Sequence, residues 1–250
     1  MAHSSRKSSG GLPTMIERQM RNWSLLREQG AKNISTGPAC QKLRFYITLS
    51  RESGCGTDPI VEKLAERTGF QKFDREILDY MVKRDDVRRR LYETLDNHTL
   101  GWIEGICSSL SFGPTVDETG YFLRLSRAVL AVCLNTHAII VGRGANFILP
   151  RQCGLAVRLV APYDYRLETF AKRMDLDHNT ARDQMELIDQ NRSQFIENHF
   201  GKYAYDPRRY DLVVNVSRFS PDTVVDIIVT ALQVRAGKNL KLPVSGSPAE

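Results

Sequence analysis

A short apolar run, Phe45-Tyr46-Ile47-Thr48-Leu49, opens into Ser50-Arg51-Glu52-Ser53-Gly54-Cys55-Gly56-Thr57-Asp58 and then into the helical pattern Ile60, Val61, Leu64, Ala65. Strand, glycine loop and helix in that order aim backbone N–H groups and a helix N-terminus at an anion, phosphate above all. Ser53, Gly54, Cys55, Gly56, Thr57 and Asp58 are therefore candidate phosphate-binding residues, with Arg51 beside them as a planar cation. The loop departs from the pattern G-x-x-x-x-G-K-[ST]. Arg51 replaces the first Gly, Thr57 replaces the Lys, and Pro59 stands near the hydroxyl that would ligate Mg²⁺. A tight turn with no ligand also uses glycine, so the loop needs company before it means a site.

Three further groups supply that company. Asp74-Arg75-Glu76 follows a second apolar stretch; Asp74 suits a helix N-cap, whereas Arg75 opposes the helix dipole and so invites an anion. Gly142-Arg143-Gly144 ends the run Ala138-Ile139-Ile140-Val141, where flanking glycines let the chain turn sharply and present a guanidinium into a cleft. Arg166 and Arg173 lie seven apart and Asp189 and Arg192 three apart, each pair on one helix face. Such pairs serve as solvated ion pairs in many proteins, and as a lid that carries arginines to a phosphate in others.

The elements that must position these groups alternate. Apolar strands are expected at 44–49, 70–73, 138–141, 155–160 and 212–216, and helices at 59–68, 75–83, 165–174, 179–198 and 221–234. Residues 85–135 read as helical, broken near 111–115. Five short strands separated by helices predict a parallel α/β sheet, whose ligands bind at the carboxyl ends of the strands. Every loop singled out above falls at such an end.

The 250 residues are 42% hydrophobic, enough for a substantial core, and no apolar run approaches the roughly 20 residues of a membrane helix. Residues 1–13 lack the apolar segment of a secretory signal and read as a loose leader; 14–29 form an amphipathic pattern (Ile16, Met20, Trp23, Leu26) suited to packing on the main body or on a partner or second copy. A cytoplasmic location is expected, with no membrane role. The net charge of +6 favours anionic ligands. Apart from Arg88-Arg89-Arg90 and Arg208-Arg209 the basic residues are dispersed, which fits phosphate ligands in a cleft at least as well as a nucleic-acid stripe. Five scattered cysteines and five histidines make neither a zinc pattern nor a disulfide framework, and no protein-held metal is expected. Cys55 lies near a helix N-terminus, which could lower its pKa, but it reads first as a plain loop filler.

Taken in order, the blocks Ile47-Thr48-Leu49-Ser50-Arg51-Glu52-Ser53-Gly54-Cys55-Gly56, Phe73-Asp74-Arg75-Glu76-Ile77, Ile140-Val141-Gly142-Arg143-Gly144-Ala145-Asn146, Asp189-Gln190-Asn191-Arg192 and Tyr210-Asp211-Leu212-Val213-Val214-Asn215 resemble the cytidylate kinase-like family of P-loop nucleoside monophosphate kinases. The resemblance implies a P-loop NTPase fold: a three-layer α/β/α arrangement with a parallel five-stranded sheet, a helical insert and a lid. It divides the chain into a leader and helix (1–43), a kinase-like domain (44–236) with an acceptor-binding insert at about 84–136 and a lid at about 175–205, and a tail (237–250). It implies ATP as donor, with Mg²⁺ carried mainly by the nucleotide, and CMP or dCMP as first acceptor. Gly54 to Thr57 would hold the donor phosphates. Asp74, Arg75 and Arg143 would hold the acceptor, with Asp189 and Arg192 closing from the lid and Arg166 and Arg173 nearby. Cytidylate kinases carry Lys at the position of Thr57, Thr at that of Pro59 and Asp at that of Gly144, so a nucleotide-binding sensor or scaffold without turnover is the alternative.

Overall fold

The computed structural model describes residues 43–93, 95, 97–109, 116–200, 206–237, 240 and 242. The amphipathic pattern at 14–29, nearly all of the tail and the last turn of the expected lid lie outside these residues. Five strands, β1 (Tyr46–Arg51), β2 (Gln71–Phe73), β3 (Ala138–Val141), β4 (Gly154–Val160) and β5 (Leu212–Asn215), form one sheet in the order β2-β3-β1-β4-β5. All pairings are parallel. Helix α1 (Thr57–Thr68) follows β1. Helices α2 (Arg75–Lys83), α3 (Asp85–Glu93), α4 (Asn97–Ser109) and α5 (Val116–Asn135) connect β2 to β3. The one-turn α6 (Ala145–Ile148) precedes β4, α7 (Tyr163–Met174) and α8 (His178–Phe200) follow it, and α9 (Pro221–Ala236) ends the domain.

The strands are unbroken apolar runs because both faces are covered. In β3, Ala138 and Ile140 face Ile77, Leu78, Met81, Leu125 and Val129 of α2 and α5. Ile139 and Val141 face the opposite core, with Ile60 and Leu64 of α1 and Val224, Ile228 and Leu232 of α9. The strand period of two thus feeds two separate cores and makes three layers. The caps read from sequence are formed. Asp74 accepts the Ile77 N–H at 3.0 Å, Ser220 accepts the Thr223 N–H at 3.2 Å, and Gly69 closes α1 in the left-handed conformation. Helix α1 starts two residues earlier than expected, because left-handed Gly56 caps it and Pro59 fits its first turn. No described helix is long and apolar enough to cross a membrane.

Register then sets the site. Leu49 lies level with Val141, the last residue of β3, and with Val157, and β1 and β4 run on to Arg51 and Val160, so the three carboxyl ends lie side by side. The chain leaves β1 toward β2 and β3 on one side and toward β4 and β5 on the other. The carboxyl end of β1 is therefore the crevice where such sheets take ligands.

Candidate active site

The loop after β1 turns on two glycines at positive φ, Gly54 (83°) and Gly56 (59°). A Cβ on Gly54 would fall on the backbone carbonyl of Arg166 in α7, so the loop and α7 touch main chain to main chain. The Ser53 N–H donates to Asp189 Oδ1 on α8 at 2.9 Å, the Arg166 guanidinium donates to the Ser53 carbonyl at 3.2 Å, and Arg192 donates to Ser53 Oγ at 2.9 Å. Thr57 is buried at the first turn of α1, and exposed Asp58 receives Arg173 at 2.6 Å. Cys55 is a buried loop filler whose thiol donates to the Leu159 carbonyl. Burial, then the Glu52 carboxylate, push its pKa up to about 11. The lowered pKa that a helix N-terminus suggested is overridden by desolvation.

Across from the loop, Gly142, Arg143 and Gly144 have φ of 81°, 53° and 64°, three consecutive residues in the left-handed region. The glycines adopt it freely; at Arg143 it stores strain of about 1 kcal/mol or more. Contacts on every side hold Arg143 there. Its guanidinium donates to Asp79 Oδ2 at 2.5 Å and lies over the rings of Phe195 (4.9 Å) and Tyr121 (5.7 Å). Asp79 also accepts the Tyr121 hydroxyl and sits 3.6 Å from Arg75. Gly144 leaves room for the Phe200 ring, and Gly142 for the guanidinium of Arg51.

These groups surround a cavity of about 250 Å³ lined by Arg51, Arg75, Arg143, Arg158 and Arg192, with Phe195, Tyr210, Ile188 and Ile196 as its apolar part. With Arg166 added there are six guanidinium groups, five of them on three carboxylates: Asp79 holds Arg75 and Arg143, Glu52 holds Arg158 and Arg166, and Asp189 holds Arg166 (2.7 Å) and Arg192. The imbalance leaves a positive field suited to a polyanion. Arg192 is held below the usual arginine range by burial, which its Asp189 partner opposes. Arg51 has no hydrogen bond or ion pair among the described residues, and burial and the charge of Arg192 bring its pKa down to about 10.

The structure thus gathers the loop 53–57, Arg51, Arg143, Arg166, Asp189 and Arg192 at one end of the sheet. Arg75 reaches the cavity edge with a largely exposed side chain, Asp74 serves as a cap, and Asp58 with Arg173 lies on the outer flank. Sequence reasoning assigned no role to Glu52, Asp79, Tyr121, Arg158 and Phe195. Asp79 had one usable signal, its position four residues after Arg75; Arg158 and Phe195 had none beyond strand and helix periodicity. Arg88 folds back onto Asp85 and the Val82 carbonyl, which takes it out of the basic triplet on α3. Among the described residues no group of three or more His, Cys, Asp or Glu side chains converges. Of the two residues after Thr57, Asp58 is engaged by Arg173 and Pro59 carries no hydroxyl.

A parallel sheet in this order, a glycine loop after its central strand and arginines facing the loop define a P-loop kinase fold. The chain belongs to the cytidylate kinase-like family, whose model matches residues 46–218. It is 27% identical to a cytidylate kinase of Pyrococcus furiosus over 191 residues, covering 75% of this chain and 88% of that one. It is 24% identical over 189 residues to a cytidylate kinase of Halobacterium salinarum, covering 75% and 89%. The crystal structure of an uncharacterized protein from Eubacterium ventriosum superposes with a TM-score of 0.61 at 22% identity, covering 76% of this chain and 99% of that chain. The last likeness bears on the fold alone.

Proposed function

We propose that this protein transfers the γ-phosphoryl group of ATP to a nucleoside monophosphate in the cytoplasm, with CMP and dCMP the first acceptors to try. The observation that carries the reading is the arginine-lined cavity where β1, β3 and β4 end, directly across from the glycine loop. Gly54, Cys55, Gly56 and Thr57 bind the donor phosphates through backbone N–H groups, with Ser53 and Asp58 at the loop's two ends. Arg75 and Arg143 hold the acceptor phosphate beside Asp74, and Phe195 and Tyr210 offer apolar surface for the nucleoside. Asp189 and Arg192 close the site from α8, which acts as the lid (about 175–205), with Arg166 beside them on α7, while the helices between about 84 and 136 frame the acceptor. Rate acceleration comes from positioning and fixed positive charge, because phosphoryl transfer asks little covalent chemistry of the protein. Mg²⁺, arriving with the nucleotide, neutralises phosphate charge.

The test is ADP release from ATP and Mg²⁺ across a panel of nucleoside monophosphates. Arg143→Ala and Arg192→Ala should each abolish transfer with the circular dichroism spectrum unchanged. Undiminished turnover in both variants, or no acceptor in the panel, overturns the reading. A second reading, nucleotide binding without turnover, is favoured by one observation: buried Thr57 occupies the position where the loop would present a lysine. ATP binding by calorimetry alongside no product would select it.

A further inference from the structure

Arg51 stands apart from the other arginines of the cavity. It is the last residue of β1, the central strand, and its guanidinium lies in the space left by the missing side chain of Gly142. Among the described residues no carboxylate pairs with it, whereas each of its guanidinium neighbours has one. It feels the charges of Asp58 and Arg173 on the loop side and of Asp74 and Arg192 on the acceptor side. It therefore sits at the junction between the two halves of the site. A guanidinium withdrawn from water and left without a counter-charge is unfavourable until an anion arrives.

We propose that Arg51 is a catalytic residue that meets the γ-phosphoryl group of ATP, supplying from the first position of the loop the positive charge that Thr57 does not. The assignment rests on the phosphoryl-transfer reading above. In the step it serves, an acceptor phosphate oxygen forms a bond to the γ-phosphorus as the bond to the bridging β–γ oxygen breaks. ADP departs with that electron pair, and the group passes to the acceptor. Arg51 stays protonated throughout and donates to the equatorial oxygens, where charge gathers. Its planar fork can donate two parallel hydrogen bonds to a pair of those oxygens, where a lysine ammonium acts as a compact point charge.

Two variants separate charge from position. Arg51→Gln removes the charge; Gly142→Ala keeps it but places a methyl group where the guanidinium now lies. Each is measured for turnover with ATP and CMP, and for binding of ATP and of ADP by calorimetry. The wild type should bind ATP more tightly than ADP, and both variants should lose that preference. Arg51→Gln should lower kcat by about 100-fold or more while leaving the CMP KM within a few-fold. Arg51→Lys should recover part of kcat. An unchanged ATP-to-ADP preference in Arg51→Gln, an unchanged kcat, or a wild type that binds the two nucleotides equally overturns the assignment. If no acceptor is phosphorylated but the preference for ATP disappears with Arg51, the kinase reading fails and the assignment of Arg51 to the γ-phosphate stands.

Discussion

Replacing Arg51 with Met should make the folded protein more stable at neutral pH. The fold holds the guanidinium where burial and Arg192 lower its pKa from the usual arginine range to about 10. At about 1.4 kcal/mol for each tenfold change in acidity, the charged form is disfavoured by roughly 3 kcal/mol. Met retains much of the apolar stem and loses only the head, so packing offsets part of this, and the net gain should be about 1–3 kcal/mol. The assay is urea unfolding of wild type, Arg51→Met and Arg51→Lys at pH 7, reading midpoints at constant m value. Lys keeps a charge in the same place and should gain less than Met. The sign with pH follows from a folded pKa below the unfolded one. The wild-type deficit is complete below about pH 10 and shrinks above it, as the folded form sheds the proton first. ATP should stabilise the wild type more than Arg51→Met. An Arg51→Met variant less stable than wild type by about 1 kcal/mol or more would refute the reasoning, because it would mean that the guanidinium is paired in the fold.

Gly54→Ala should destabilise by roughly 2–5 kcal/mol, since the new methyl group meets the Arg166 carbonyl at a positive φ; urea midpoints check it. Asp79→Ala should lose about 1–3 kcal/mol, because it leaves the Tyr121 hydroxyl and the Arg143 guanidinium without their shared acceptor. It should also raise the acceptor KM more than the ATP KM, with Asp79→Asn recovering part of both losses. His137, stacked on Phe70 at 4.9 Å, has its pKa lowered by burial, so wild-type stability should fall as pH drops below about 6.5, where the unfolded chain takes up the proton first. His137→Phe keeps the stack and should flatten that slope in denaturation midpoints measured between pH 7 and 5.

The fold was legible because its signals are local. Apolar runs such as Ala138–Val141 read as doubly covered strands, and caps such as Asp74, Gly69 and Ser220 carry their own chemistry. The site was legible where glycines flag a turn, at Gly54, Gly56, Gly142 and Gly144. It was illegible where distant residues meet. Nothing in the order of residues shows that Asp79 on α2 holds Arg143 after β3, that Glu52 gathers Arg158 and Arg166, or that Gly142 makes space for Arg51. Those pairings are products of sheet order, which places β3 and β4 on either side of β1. Cys55 shows the limit of a local signal: the adjacent helix N-terminus favours a lower pKa, and burial raises it instead.

The hydrogen bond from the Ser53 N–H to Asp189 makes the protein its own competitor. A carboxylate that the fold holds against the loop already occupies one of its donors. On the proposed reading, a lone inorganic anion gripping one or two donors would have to compete with it. A nucleotide engaging the loop and the arginines together would displace the carboxylate and, with it, the ties that Asp189 makes to Arg166 and Arg192. Discrimination against small anions would then be set by a residue that need never touch them.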